Sequence, residues 1–259
     1  MRNKKTVLLE NLKIMSEKTN EIEIQKHYYA TTAAQYDEMH INEEEIAHTI
    51  ALSFLIGLID YLDVKSILDV GSGTGRAICY IQKYRPDINI VGIEPVEELR
   101  RIGYSKGISQ KNLIYGDATK LQFETAEFDL VCEFGVLHHL RKPELAVSEM
   151  IRVAKKGIFI SDINNFGEGS LLSRSIKQML NFIRLWKIVN LIKTKGKGYR
   201  ISKGDGLSYS YSVFNNYKQI KNQCNSVHIL NTQTPSRGIN PYRNAGNIAI
   251  LGIKNQTIY

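Results

Sequence analysis

The stretch from Ser66 to Gly75, SILDVGSGTG, constrains the fold more than any other part of this chain. Ile67, Leu68 and Val70 are apolar and mostly β-branched, the pattern of a short strand buried in a parallel sheet. The strand stops at Gly71. Glycines then fall at every second position, Gly71, Gly73 and Gly75, and a helical pattern follows in Ala77, Ile78 and Ile81. A strand that ends in a glycine turn and feeds a helix N-terminus lets a ligand approach backbone N–H groups very closely.

Further runs repeat this alternation. INIVGI (residues 88–93) ends at Glu94, and Pro95 and a helical stretch to Tyr104 follow. Residues 113–115 read as a third strand ending in Gly116-Asp117-Ala118, and FDLVCEF (128–134) as a fourth. The fourth leads into Gly135 and a helix-like stretch through His138-His139. Residues 143–153 are helical and GIFISD (157–162) is a fifth strand. Residues 226–230 and 247–253 read as a terminal antiparallel pair. Strands alternating with helices at this spacing predict an α/β fold with a mostly parallel sheet. A hydrophobic content of 43% over 259 residues is ample for its core.

The flanks are less regular. Residues 1–26 are polar with a weak helical pattern, and HYYATTAAQYDEMH (27–40) is rich in Tyr and His. Thr31-Thr32 is placed to cap a short helix. Asn42 before three glutamates predicts the start of a helix that runs to about Leu62. Residues 163–218 leave the alternation. A long amphipathic pattern from Leu171 to Ile192 leads into KTKGKGYRISKGDG, which reads as loop. Between Gly169 and Gly204 there are nine basic residues and no acidic one, so much of the net charge of +8 sits there. Basic charge suggests acidic partners and says nothing about fold. Three dispersed cysteines, in no CxxC pair, argue against a disulfide scaffold or zinc site and fit a reducing cytoplasm. No signal sequence or membrane span is expected.

The glycine turn admits two nucleotide readings. A dinucleotide loop is written G-x-G-x-x-G, whereas here it is G-x-G-x-G with Asp69 just ahead. An acid at the strand end opposes a pyrophosphate and suits an ammonium or sulfonium ligand such as S-adenosylmethionine. Glu94 is placed to accept from ribose hydroxyls, and Asp117 with the Ala118 N–H to meet adenine. ILDVGSGTG, GIEP, GDATKLQF and FDLVCEFGVLHHL, in this order, resemble the class I S-adenosylmethionine-dependent methyltransferases. The resemblance is to the small-molecule, type 11-like branch that includes quinone-methylating enzymes. EMIRVAKKGIFISD matches the next helix and strand, so the resemblance covers roughly residues 25–163 and the two terminal strands.

The resemblance implies a Rossmann-like methyltransferase fold: a mostly parallel seven-stranded sheet, an antiparallel terminal strand and helices on both faces. It implies S-adenosylmethionine as cofactor and no metal. Gly71, Ser72, Gly73 and Gly75 form the loop against the methionine part, which Asp69 orients. Glu94 and Pro95 meet the ribose, and Asp117 and Ala118 the adenine. Glu133 and Phe134 approach the methionine moiety, with Glu133 pointing away as the alternative, and Gly135 and Val136 border the methyl-transfer cleft on the cofactor side. Tyr29 and Tyr36, ahead of Tyr28, close over the cofactor from the N-terminal segment.

His138 and His139 are the candidate general bases, since an imidazole can take a proton from a hydroxyl or protonated amine. The alternative is that one caps local backbone and the other touches cofactor or solvent. Asn164, Asn165, Tyr199, Tyr209 and Tyr211 are the candidate acceptor contacts. The expected organisation is an N-terminal helical cap (1–63), a cofactor-binding core (64–163), a helical and loop insertion acting as acceptor lid (164–218), and terminal strands completing the sheet (219–259). The expected activity is methylation of a small molecule, with an O-linked acceptor in secondary or sugar metabolism ahead of a quinone or lipid-linked one. The acceptor could be anionic. Nucleic acid is disfavoured, because basic and aromatic residues are not interleaved for base stacking. Membrane-surface contact is open but not favoured, and the chain is expected as a monomer or homodimer. The competing reading from another class is a silent cofactor-binding regulatory module.

Overall fold

The computed structural model describes residues 21–39, 43–202, 204–233 and 238–254. The expected cap at Asn42 and the polar residues 1–20 lie outside them. The chain opens with α1 (residues 21–32), a 3-10 turn (Ala33–Gln35) and the short α2 (Tyr36–Met39). The long α3 (Glu43–Tyr61) follows. The core is then built by β1 (Ser66–Val70), α4 (Arg76–Tyr84), β2 (Asn89–Ile93), α5 (Glu97–Ser105), β3 (Leu113–Ile114), β4 (Phe128–Phe134), α6 (Pro143–Val153) and β5 (Ala154–Ile163). Beyond it come α7 (Leu171–Phe182), α8 (Trp186–Lys193), β6 (Tyr199–Ser202), β7 (Gly206–Tyr209), α9 (Tyr217–Gln223), β8 (Ser226–Asn231), α10 (Pro241–Asn244) and β9 (Asn247–Ile253).

Seven strands form one sheet in the order β3-β2-β1-β4-β5-β9-β8. All neighbours are parallel except at β9, which runs antiparallel to both β5 and β8. This is the Rossmann-like arrangement that the resemblance implies. β1 lies inside it, between β2 and β4, because it is apolar on both faces: Ile67, Leu68 and Val70 have no solvent exposure. Burying each such side chain is worth about 2 kcal/mol. Register between β1 and β4 is pinned at their starts. The Asp129 carboxylate accepts from the N–H groups of Lys65 and Ser66, while the Asp129 N–H donates to the Ser66 hydroxyl. One apolar layer, with α3 and α4, packs on one face, and α6 and α9 pack on the other.

Several local expectations change. Thr32 stands at the N-cap position of the 3-10 turn, as expected, but neither Thr31 nor Thr32 caps it with its side chain. Their hydroxyls donate back to the carbonyls of His27 and Tyr28 and close α1. The amphipathic run from Leu171 is two helices, broken at Arg184, whose φ is 62°. The glycine- and lysine-rich stretch after it is not all loop, because β6 and β7 pair as a separate antiparallel hairpin. Gly204, at φ 102°, allows its turn. Among the described residues, no helix is long and apolar enough to cross a membrane.

Candidate active site

The carboxyl ends of β1, β2 and β4 meet at the glycine turn. The N–H groups of Gly71 and Ser72 both donate to the Ile93 carbonyl at 2.9 Å, which ties the turn to the end of β2. Gly71, at φ 72°, lies so close to Val136 that a Cβ there would overlap its side chain. A Cβ on Gly73, at φ 54°, would fall 2.9 Å from the Tyr36 hydroxyl. The turn is therefore glycine for two reasons: a left-handed backbone and the close approach of α2.

Glu94 follows β2 and braces this turn. Its two carboxylate oxygens accept from the N–H groups of Gly73 (3.0 Å) and Val96 (2.8 Å). Burial pushes its pKa up to about 7, against the lowering effect of these N–H donors. Asp69 is also buried, and desolvation raises it to about 6 although the Ser72 hydroxyl opposes this. Its Oδ2 has no hydrogen-bond partner. Two carboxylates are thus held at the sheet's edge without a salt-bridging cation among the described residues.

A cavity of about 440 Å³ opens above these strand ends. Nine of the residues expected at the cofactor line it: Tyr29, Tyr36, Gly71, Glu94, Pro95, Asp117, Ala118, Phe134 and Gly135. A second cavity of about 410 Å³ shares Tyr36, Gly71 and Phe134 with the first and adds Asp69 and Ser72. Gly73 and Gly75 line neither. They shape the turn, and Gly75 starts α4 at φ 81°. Asp117 is exposed, and its Oδ1 accepts from the N–H and hydroxyl of Thr119.

Glu133 is placed differently from the cofactor role expected of it. It is fully buried and lines neither cavity. Its Oε2 accepts from the Val136 N–H at 2.9 Å, so it holds the chain as it turns out of β4. Desolvation, and then the charge of Asp162, raise its pKa well above the carboxylate range.

The two histidines sit on a 3-10 turn (Leu137–His139) and have separate fates. His138 points inward and does not line the cavity, which corrects its expected role as a base. Its Nδ1 is 2.7 Å from Asp162 and its Nε2 is 3.1 Å from Asp205. Burial alone would lower its pKa, but Asp162 and then Asp205 raise it well above normal. His139 lines the cavity. Its Nδ1–H donates to the Leu207 carbonyl at 2.7 Å, which leaves the Nε2 lone pair to accept from the Tyr29 hydroxyl at 2.9 Å. Burial, and then the neighbouring His138 charge, lower the pKa of His139 to about 4. The pair thus divides into a cation held between two carboxylates and a neutral ring facing the cavity. Potential metal-ligand atoms of His138, His139 and Asp205 lie within 4.8 Å of one another. The hydrogen bonds just described already satisfy them.

Of the expected acceptor contacts, Tyr209 alone lines the cavity. Its hydroxyl donates to Glu21, which also pairs with Arg141 at 2.6 Å. Tyr199 packs edge-on against Tyr209 with ring centroids 6.1 Å apart. Asn164 is a buried clamp. Its amide donates to the carbonyls of Tyr242 and Ala245, and its oxygen accepts from the Ser212 hydroxyl. Asn165 donates to Ser210, and Tyr211 is core with its hydroxyl on Asn216. Tyr28 accepts from the Gly204 N–H and helps seat the hairpin turn. Sequence reasoning missed Ile22, Gln25, Leu140, Leu145 and Leu207, which also line the cavity. Leu140 and Leu145 could have been found as apolar residues directly after the histidines. Leu207 and Asp205 carried no signal, because only the hairpin's folding back brings them here.

A family profile described as a methyltransferase domain matches residues 68–161. The chain superposes on a S-adenosylmethionine-dependent methyltransferase from Thermotoga maritima, named a possible histamine N-methyltransferase, with a TM-score of 0.56. That match has 17% identity and covers 88% of this chain and 99% of the other. Residues 68–161 are thus similar to a methyltransferase domain, and the fold is the one that S-adenosylmethionine-dependent methyltransferases share. Relatives of the methyltransferase domain include ajmaline N-methyltransferase from Rauvolfia serpentina, 32% identical over 101 residues, 37% of this chain and 34% of the relative. Demethylmenaquinone methyltransferase from Roseiflexus castenholzii is 32% identical over 91 residues, 35% of this chain and 38% of the relative. The chain therefore spans about a third to a half of the length of the curated relatives it matches.

The residues of the methyltransferase domain fit its cofactor. The unpartnered Oδ2 of Asp69 and the raised Glu94 lack a cation and hydroxyl donors, which S-adenosylmethionine supplies. Each Glu94 oxygen keeps a second lone pair for the ribose. The other wall of the cavity lies outside the matched residues. It comes from α1, α2 and the β6–β7 hairpin.

Proposed function

We propose that this protein methylates a small, largely apolar molecule through a hydroxyl, with S-adenosylmethionine as donor. The observation that carries the reading is one cavity holding both Glu94 with Asp117 and a neutral His139 with Tyr29. When bound, S-adenosylmethionine supplies an electrophilic methyl group. Asp69, Glu94, Asp117 and the Gly71–Gly73 backbone would hold it.

The Tyr29 hydroxyl on His139 Nε2 marks where an acceptor hydroxyl would bind. His139 stays unprotonated well below neutral pH, so an acceptor hydroxyl that takes the place of the Tyr29 hydroxyl meets that lone pair throughout the physiological range. It is a weak base, but an oxygen that is gaining a methyl group has a strongly acidic proton. That proton passes to Nε2, and the Leu207 carbonyl keeps the ring in the required tautomer. Ile22, Leu140, Leu145 and Leu207 favour an apolar acceptor body and help exclude water. The same apolar wall keeps a quinone or lipid-linked acceptor as the second reading. Three free cysteines accord with a cytoplasmic setting, which forms part of the proposal.

The test is calorimetry with S-adenosylhomocysteine, followed by turnover on a panel of phenols, alcohols and amines. Binding with turnover of a hydroxyl acceptor is expected. Failure to bind S-adenosylhomocysteine sinks the reading. Binding without any turnover across the panel supports the silent module instead.

A further inference from the structure

Helix α7 is docked inside out. The side it turns toward the protein is polar. Arg174 is buried, Lys177 donates to the carbonyls of Asn165 and Glu168, and Gln178 donates to those of Phe166 and Arg243. Its opposite side carries Leu172, Ile176, Met179 and Ile183, spaced by four, three and four residues, and all are exposed. Phe182, at the end of the helix, is 88% exposed. In α8, Trp186 is buried and donates to Ser210, while Ile188, Leu191 and Ile192 face outward. A helix normally buries such a stripe, and an uncovered apolar face of this extent marks a contact surface.

Charge identifies what covers it. Arg184, Lys187, Lys193, Lys195 and Lys197 are exposed on and beside these helices, and no acidic residue occurs from Gly169 to Gly204. A second copy meeting this face symmetrically would set the same cations against each other. Residues 1–20 also carry more basic than acidic side chains, so they do not complement the face. Exposed apolar stripes bordered by lysine and arginine match an anionic lipid surface, where the apolar side chains enter the interface and the cations meet phosphate.

We propose that α7 and α8 form a docking surface for an anionic phospholipid bilayer. This inference does not rest on the acceptor reading above. The two are joined only by chain continuity, since α8 leads directly into the hairpin that gives Leu207 and Tyr209 to the cavity wall.

The test is co-sedimentation of the full chain with sucrose-loaded vesicles of phosphatidylcholine alone or with about one-third phosphatidylglycerol. At least tenfold stronger partitioning onto the anionic vesicles is expected, falling steeply as salt rises from 0.1 to 0.5 M. Two variants address the two contributions separately: Met179→Ser with Phe182→Ser, and Lys187→Glu with Lys195→Glu. All four side chains are exposed, so folding and S-adenosylhomocysteine affinity should be unchanged, while each pair lowers vesicle binding at least fivefold. No binding to anionic vesicles, equal binding to neutral ones, or full binding by either variant overturns the proposal. So does a concentration-dependent dimer in light scattering that the Ser variants abolish while vesicles remain unbound.

Discussion

Glu94→Gln probes the electrostatics of the cofactor end directly. The Glu94 carboxyl is buried, and its pKa stands at about 7 against an ordinary 4.5. The folded, ligand-free protein therefore holds a proton there that the unfolded chain releases. The sign follows from linkage. An acid whose folded pKa is raised contributes most to stability below its unfolded pKa, and that contribution is lost as pH rises through the folded value. For Glu94 the window is roughly pH 4.5 to 7, and the full span is worth about 3 kcal/mol. A glutamine cannot ionise. It also satisfies only one of the two N–H donors, from Gly73 and Val96, so a constant penalty is expected at every pH. The pH-dependent part is separable from that penalty. Urea denaturation of both proteins at pH 4.5 and pH 8 should show the stability difference moving by about 3 kcal/mol in the variant's favour at the higher pH. Affinity for S-adenosylhomocysteine should fall at least tenfold at pH 8, because the ribose loses a charged acceptor. A stability difference that is the same at both pH values would refute the buried, proton-holding Glu94. Unchanged affinity would refute its place at the ribose.

Gly73→Ala should cost about 1–2 kcal/mol for the left-handed backbone and lower the melting temperature by about 3–6 °C. The new methyl also presses on the Tyr36 hydroxyl, so an unchanged melting curve would contradict the packing of α2. His139→Ala should lower kcat by about a hundredfold with S-adenosylhomocysteine affinity kept, and a variant that turns over normally would remove the proposed proton acceptor. His138→Ala should instead destabilise the fold by about 3–5 kcal/mol in chemical denaturation, since it leaves the buried Asp162 carboxylate without its cation. Dialysis against EDTA should leave turnover unchanged. A loss restored by a divalent ion would mean that His138, His139 and Asp205 exchange their mutual hydrogen bonds for a metal.

Much of the cofactor end was legible in the sequence because its chemistry is local. Each residue there stands at the end of an apolar run, and parallel strands bring such ends to one edge. Counting from each strand puts Asp69, the glycines, Glu94 and Asp117 at the carboxyl ends of the strands. Glu133 went astray by the same rule, because a strand alternates its faces and counting does not tell which side of the turn a carboxylate enters. The acceptor residues were largely illegible. Asn164 and Tyr211 are polar residues near the right strand, but their hydrogen bonds run to α10 and to Asn216, which sequence distance hides. The amphipathic period of α7 is legible in the sequence. Its period could not say which face the protein would keep.

The succession of strands and helices, the glycine turn and the acidic strand ends, which point to the methyl donor, are written in residues close along the chain. The tertiary structure decided the division between the two histidines. His138 and His139 are neighbours of the same type, and they differ because Asp162 and Asp205 converge on one ring while Leu207 and Tyr29 take the other. That convergence brings together β5, the β6–β7 hairpin and α1, and a proton settles where the surrounding charges place it.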